Sequence, residues 1–258
     1  MSATGAQVAQ LARRSVLKTL RQPAQVVPSL VFPLFLLAVN SSGLNQATNI
    51  PGFPTDSYLT FLLAVPFLQG ALFSIMNAGT DLARDVETGF LNRLALTPLR
   101  GMALLAGLLA GVVVLGLIQG AAYLTVGWVA GAEFSTGIGG AAVILCMSVL
   151  LALGFGGIGL FIALRTGSGE AVQGMFPVFF VFLFISSMAL PRDLIQTDWF
   201  REIATYNPVS YLIEAIRSLL ITGWDGEALA LGFGIAAVIA ICSMAASTVA
   251  LRSRLVRT

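Results

Sequence analysis

The chain has no histidine, two cysteines and one lysine. Without histidine there is no Ser-His or Cys-His nucleophile, no His-ligated zinc and no histidine proton relay. Cys146 and Cys242 both lie inside apolar runs and read as small membrane-buried side chains. A disulfide framework or a metal cluster needs more cysteines, or cysteines in aqueous loops. The lysine, Lys18, follows no glycine loop, and no Gly-x-x-x-x-Gly-Lys-Ser/Thr sequence occurs. The chain therefore carries no P-loop for ATP. Charge of either sign is scarce: 14 basic and 12 acidic residues among 258, a net charge of +2. Such a chain cannot cover a soluble surface and has no basic field to hold nucleic acid. What is abundant is apolar sequence, 57% of residues, with a mean hydropathy of +0.90. Disorder is excluded by the same numbers, and an integral membrane protein is implied.

The gaps between charges place the spans. Asp56 is the one charge from Gln22 to Thr80, and Glu133 the one charge from Gly101 to Leu164. A crossing helix takes ~20 apolar residues. Six spans are expected, at about 24–42, 58–80, 102–130, 138–164, 171–190 and 228–251. These runs are too long and continuous for barrel strands, so the expected fold is an all-α integral membrane protein in one transmembrane domain covering 1–258. Basic residues set orientation. Arg13, Arg14, Lys18 and Arg21 share one side with Arg84, Arg93, Arg100, Arg165, Arg252, Arg254 and Arg257, against Arg192, Arg201 and Arg217 on the other. Both termini are thereby expected in the cytoplasm. The first apolar run is too long for a signal-peptide core and is expected to stay as an uncleaved anchor.

No ionisable residue falls near the middle of a span, which argues against a proton- or ion-coupled pump. Gln69, Asn77, Gln119 and Gln173 are among the neutral polar groups within spans; they either line a path or bond helix to helix. The run Gly154 to Gly159 follows no strand and is no dinucleotide loop. It suits close helix packing.

Three segments are more than plain spans. Within residues 1–23, Gln7, Gln10, Arg14, Lys18 and Arg21 form one polar stripe at three- and four-residue spacing. An interfacial helix lying along the inner leaflet is expected, its basic groups near lipid phosphates. In 81–101, charges cluster up to Glu87, Gly89 permits a sharp turn, and Phe90, Leu91, Leu94 and Leu96 offer an apolar face that Thr97-Pro98 ends. A loop with an apolar face wants a groove to sit in. In 191–225, Trp199, Tyr206, Tyr211 and Trp224 suit a membrane–water interface. Asn207-Pro208 reads as a helix start and Thr222-Gly223 as its stop, with Glu214 and Arg217 spaced to pair on that helix. Two short helices turning partly back into the membrane are expected.

Taken together, these residues resemble the membrane subunits of type-two ABC exporters, which include bacterial drug-resistance, lipid and polysaccharide export permeases. One motif is Arg84-Asp85-Val86-Glu87-Thr88-Gly89-Phe90-Leu91-Asn92-Arg93-Leu94 followed by Thr97-Pro98 and Arg100. It is similar to the family's acidic-x-x-Gly-x-Leu-x-x-Leu pattern ending in Thr-Pro, with Phe90 where a small hydroxyl residue is common. The other is Leu190-Pro191, Trp199-Phe200, Asn207-Pro208-Val209-Ser210-Tyr211 and Glu214-Ala215-Ile216-Arg217, similar to the stretch before the family's last span. The resemblance covers nearly the whole chain.

It implies that 81–101 is a coupling helix docked on a separate ATPase, present in two copies, through Arg84, Asp85, Glu87, Gly89, Phe90, Leu91, Arg93, Leu94, Thr97 and Pro98. It implies that 191–225 forms an external gate with Trp199, Asn207, Pro208, Tyr211, Glu214 and Arg217. ATP and Mg would be held by the partner and no cofactor by this chain. Six spans are half a transporter, so a second permease copy or a related permease completes it. Gln69, Asn77, Gln119, Phe176 and Phe180 are candidates for the substrate path. An amphiphilic drug or lipid is the leading substrate class. A polysaccharide or glycolipid exporter, a passive channel and a membrane scaffold are the alternatives.

Overall fold

The computed structural model describes residues 3–90, 93 and 101–255. Among these residues the chain forms helices joined by turns, with no strand. In order they are α1 (Ala3–Leu20), α2 (Pro23–Gly43), α3 (Tyr58–Leu62), α4 (Ala64–Glu87), α5 (Gly101–Val129), α6 (Gly137–Thr166), α7 (Gly169–Phe184), α8 (Asp198–Tyr206), α9 (Pro208–Ile221) and α10 (Gly226–Leu255). The starts follow from local chemistry. Ser57, Ser168 and Asn207 each accept a hydrogen bond from a backbone N–H of the first turn of α3, α7 and α9, which satisfies donors the helix itself cannot. The stop of α6 at Gly167 uses a left-handed residue, φ +70°, a conformation glycine adopts without steric cost.

Five stretches among the described residues are long and apolar enough to cross a membrane: Pro23–Gly43, Tyr58–Glu87, Leu104–Val129, Gly137–Thr166 and Gly226–Arg254. The span expected at 171–190 is the exception. Its helix, α7, has 16 residues and ends at Phe184, about 24 Å long at 1.5 Å per residue. The apolar run continues, but residues 185–191 leave the helix, and the carbonyls of Ile185, Ser187, Met188 and Ala189 accept from side chains elsewhere in the chain. A second difference concerns 81–87, expected as loop: α4 runs unbroken through Asp81, Asp85 and Glu87.

Helix α4 is the axis of the bundle. It buries Phe67, Leu68, Leu72, Ile75 and Leu82 and packs against α2, α5, α6 and α7. The α4–α6 approach depends on Gly159, where a β-carbon would overlap the Ile75 carbonyl. At α1, Gly107 and Gly111 let α5 meet Leu11 and Ser15, and the Ser15 hydroxyl donates to the Leu108 carbonyl at 2.9 Å. The interfacial helix expected at the N-terminus is thus a helix, but its stripe is used differently. Arg14 and Lys18 turn inward to α4, while Gln10, Arg13 and Arg21 stay exposed. Cys146 and Cys242 are free and lie on the outer surface of α6 and α10.

Candidate functional site

Two polar clusters stand at opposite ends of α4. At the Asp85 end, α1 and α4 present charges with matched four-residue spacing. The Arg14 guanidinium donates to both oxygens of Asp85, at 3.1 and 3.0 Å. Lys18 pairs with Asp81 at 3.0 Å and stands 3.8 Å from Asp85. Two parallel bonds from a planar guanidinium fix direction as well as energy. Arg14 also covers the Phe90 ring, 4.0 Å from its centroid. Between them, Gly89 takes φ +68° with open space around it, so the residue is needed for its backbone conformation. The Glu87 carboxylate accepts the Gly169 N–H at the start of α7, at 3.4 Å, where a helix dipole favours a negative charge. Arg84 and Arg93 are exposed. Leu91, Asn92, Leu94, Leu96, Thr97, Pro98 and Arg100 lie outside the described residues.

At the other end, side chains replace the helix bonds that α7 gives up. Asn207 does two jobs: its carbonyl accepts the Val209 N–H at 2.9 Å, and its amide donates to the Phe182 and Ile185 carbonyls at 2.6 and 3.1 Å. The Tyr58 hydroxyl donates to Ala189 at 3.0 Å. Arg217, 7% exposed, donates to the carbonyls of Phe61, Ser187 and Met188, each at 3.2 Å, and lies 3.5 Å over the Phe61 ring. The pairing expected between Glu214 and Arg217 does not form. Glu214 instead accepts from Arg192 at 2.5 Å and from the Ser187 hydroxyl at 2.9 Å. Burial disfavours the Arg192 charge, but Glu214 and Tyr211 outweigh it and hold its pKa above the ordinary value. Tyr211 donates to the Thr205 carbonyl at 2.9 Å, Pro208 is the first residue of α9, and Trp199 is 64% exposed. A cavity of about 580 Å3 opens here, lined by Arg192, Arg201, Glu214, Arg217, Asp225 and Glu227 among others.

The path candidates divide. Phe176 and Phe180 meet at a tilt, their centroids 4.8 Å apart, and continue to Phe73, Phe32 and Phe184 at 5.1–6.2 Å, one aromatic ladder across α2, α4 and α7. Gln69 and Gln119 are sealed in the core at 2% and 3% exposure, close to Tyr123, whose hydroxyl donates to the Ser29 carbonyl at 2.6 Å. Asn77 lines a hollow of about 30 Å3 with Lys18 and Asp81, room for about one water. Sequence reading missed Arg14, Lys18 and Asp81 as a cluster, the pairing of Arg192 with Glu214, and Tyr58 and Ser187 altogether. The equal spacing of Arg14/Lys18 and Asp81/Asp85 was the available signal for the first; long-range contacts left none for the second.

Comparison with known proteins places these motifs. The ABC-2 type transporter family matches residues 6–221. A daunorubicin resistance ABC transporter permease of Streptomyces coeruleorubidus is 28% identical over 229 residues, 86% of this chain and 79% of its own length. A doxorubicin resistance ABC transporter permease of Mycobacterium tuberculosis is 25% identical over 199 residues, 77% of this chain and 71% of its own. A transport permease of Pyropia yezoensis is 29% identical over 220 residues, covering 83% and 73%. With apolar helices fit to cross a membrane several times and a match over most of its length, the chain belongs to the ABC-2 type transporter family, as a transmembrane permease subunit of an ABC transporter.

Proposed function

We propose that this permease exports an amphiphilic drug or lipid-like substrate, driven by ATP hydrolysis in two copies of a separate ATPase subunit that holds the ATP and Mg. A second copy of the chain, or a related permease, completes the pore. In this reading the protein crosses the bacterial inner membrane six times with both termini cytoplasmic. The fifth crossing in chain order is α7, whose short helix is extended by residues 185–190, a mismatch that local bilayer thinning accommodates. The exposed Arg13 and Arg21 of α1 lie near lipid phosphates. Residues 191–225 form the external gate, with α8 and α9 turned partly back into the membrane, where their backbone must be covered by protein.

One observation carries the coupling role. The Gly89 turn is tied to two other helices at once, to α1 through Arg14 and to the start of α7 through Glu87. A push on the 81–101 segment therefore reaches both helices that flank it. The relatives named for resistance to daunorubicin and doxorubicin support an amphiphilic drug as the cargo. So does the absence of ionisable residues from mid-span, which suits an apolar substrate taken from the membrane.

The test begins with a mild-detergent pull-down of the tagged chain from its native membranes, followed by vanadate-sensitive ATP hydrolysis and drug export in vesicles. An ATPase in about equal amount, with drug-stimulated activity, is expected. Gly89→Pro forces φ to about −65° where the chain needs +68°. That variant, and Glu87→Arg, are expected to insert normally and hydrolyse ATP without export. Normal export in both removes the coupling role.

A further inference from the structure

Helix α7 has two working faces. Phe176, Phe180 and Phe184 build the ladder described above. Phe179, Phe182 and Leu183 point the other way and wall a cavity of about 190 Å3 with Leu72, Phe155, Val209 and Ile239. Every residue lining it is apolar. Apolar cavities of ~150 Å3 stay dry and take up a benzene-sized guest. This one has room for a ring or a short alkyl chain, not for paired acyl chains.

Phe182 and Pro208 belong also to a second, more open hollow of about 540 Å3, which includes Trp199, Glu202, Ile203 and Tyr206. Trp199, Glu202 and Tyr206 fall at i, i+3 and i+7 on α8 and so share a face. Arg201 and Thr205 fall on another face, line the 580 Å3 cavity instead, and Arg201 pairs with Asp198. Glu202 is the one charged side chain lining its hollow, and among the described residues no ion pair holds it. A carboxylate between a tryptophan and a tyrosine recognises an organic cation.

We propose that the two hollows form one site for a small monocationic amphiphile. Its ring or short chain fills the cavity under Phe182, and its positive head rests against Trp199, Glu202 and Tyr206. As a station for exported cargo, the site rests on the exporter reading above; as a binding site, it stands on its own chemistry. A phospholipid is a poor occupant because the cavity is too small for its tails.

The test is equilibrium binding of radiolabelled decyltrimethylammonium, and of its neutral carbon isostere, to the purified chain in phosphatidylethanolamine–phosphatidylglycerol nanodiscs, with empty discs subtracted. No ATPase is present, so binding here and loss of export in vesicles fail independently. Glu202→Gln is expected to weaken the cation about tenfold, the effect of one lost charge–aromatic site, and to leave the isostere unchanged. Ile239→Phe, which fills the cavity from its wall, is expected to weaken both; Glu227→Gln, in the other cavity, neither. If Ile239→Phe fails to fold, the cation–isostere split in Glu202→Gln decides alone. Equal binding of the cation by Glu202→Gln and the unchanged chain overturns the proposal. So does an equal loss of the cation and its isostere in Glu202→Gln, which assigns the effect to packing rather than to recognition of a positive head.

Discussion

Arg14 and Arg217 each bring a guanidinium to one end of the α4 bundle, and they are held in opposite ways. Arg14 meets a carboxylate, with 38% of its side chain exposed. Arg217 meets three backbone carbonyls and a ring face, nearly closed from solvent. The Asp85 end joins two separate helices by charge pairs between side chains, in which Arg14 is part-exposed and Asp85 is buried. The Arg217 end substitutes for hydrogen bonds that a continuous helix would have made within itself. Opening it leaves three carbonyls without the donors that the folded chain gives them. The first is a joint between two helices; the second is a brace on an unwound segment.

The largest expected effect lies at the brace. Arg217→Met keeps most of the side chain's apolar volume and strips the donors from Phe61, Ser187 and Met188. A cost of roughly 3–5 kcal/mol is expected, because three hydrogen bonds to a charged group are lost together, at about 1.5–3 kcal/mol each and not fully additive. It should show as lost monodisperse protein and a lowered melting temperature. Arg217→Lys is expected to recover only part, because one ammonium cannot fork to three separated carbonyls. A Met variant as stable as the unchanged chain breaks the comparison at its stronger side. The joint behaves differently under charge exchange. Asp85→Arg alone is expected to cost about 1–2 kcal/mol, discounted because Arg14 is 38% exposed. The double exchange Arg14→Asp with Asp85→Arg is expected to return part of it, since Lys18, 3.8 Å from the Asp85 carboxylate, then meets a like charge. No recovery in the double variant means that position, not charge, holds α1 to α4.

The ends also differ in how far the sequence announces them. The limits of α9 are local facts: an asparagine cap, a proline behind it, and a threonine–glycine stop, all visible in the chain. So is the turn at Gly89. The early end of α7 is not local. Its apolar run carries on to Leu190, and only the folded chain brings residues 58, 207 and 217 to the carbonyls of 182–189. The same holds for Glu214. Helical spacing offers it Arg217, but the chain folds Arg192 against it, and Arg217 is drawn to carbonyls that spacing cannot foresee. The charges of α1 were visible as a stripe. That they would face Asp81 and Asp85 rather than lipid depended on glycines 107 and 111 bringing α5, and α1 with it, close enough.

A smaller effect sharpens the comparison inside the brace. Asn207→Ala removes the α9 cap and two donors to α7 at once, and about 2 kcal/mol is expected, the upper end for a lost cap. Asn207→Asp separates these two losses. Aspartate caps a helix as well as asparagine does, yet it cannot donate to the Phe182 and Ile185 carbonyls. If the cap is what matters, the Asp variant melts with the unchanged chain. If the brace is what matters, it melts at least as low as the Ala variant, because a buried carboxylate then faces two carbonyl oxygens. The second outcome is expected, since Asn207 is 5% exposed and both carbonyls lie within 3.1 Å of its amide nitrogen. Tyr58→Phe, which removes one neutral bond to Ala189 and keeps the ring packing, is expected to cost only about 1 kcal/mol. That ranking of Arg217, Asn207 and Tyr58 follows the number and charge of the donors each residue gives to the unwound segment. A Tyr58→Phe variant less stable than Arg217→Met places the weight of the brace on aromatic packing rather than on its hydrogen bonds.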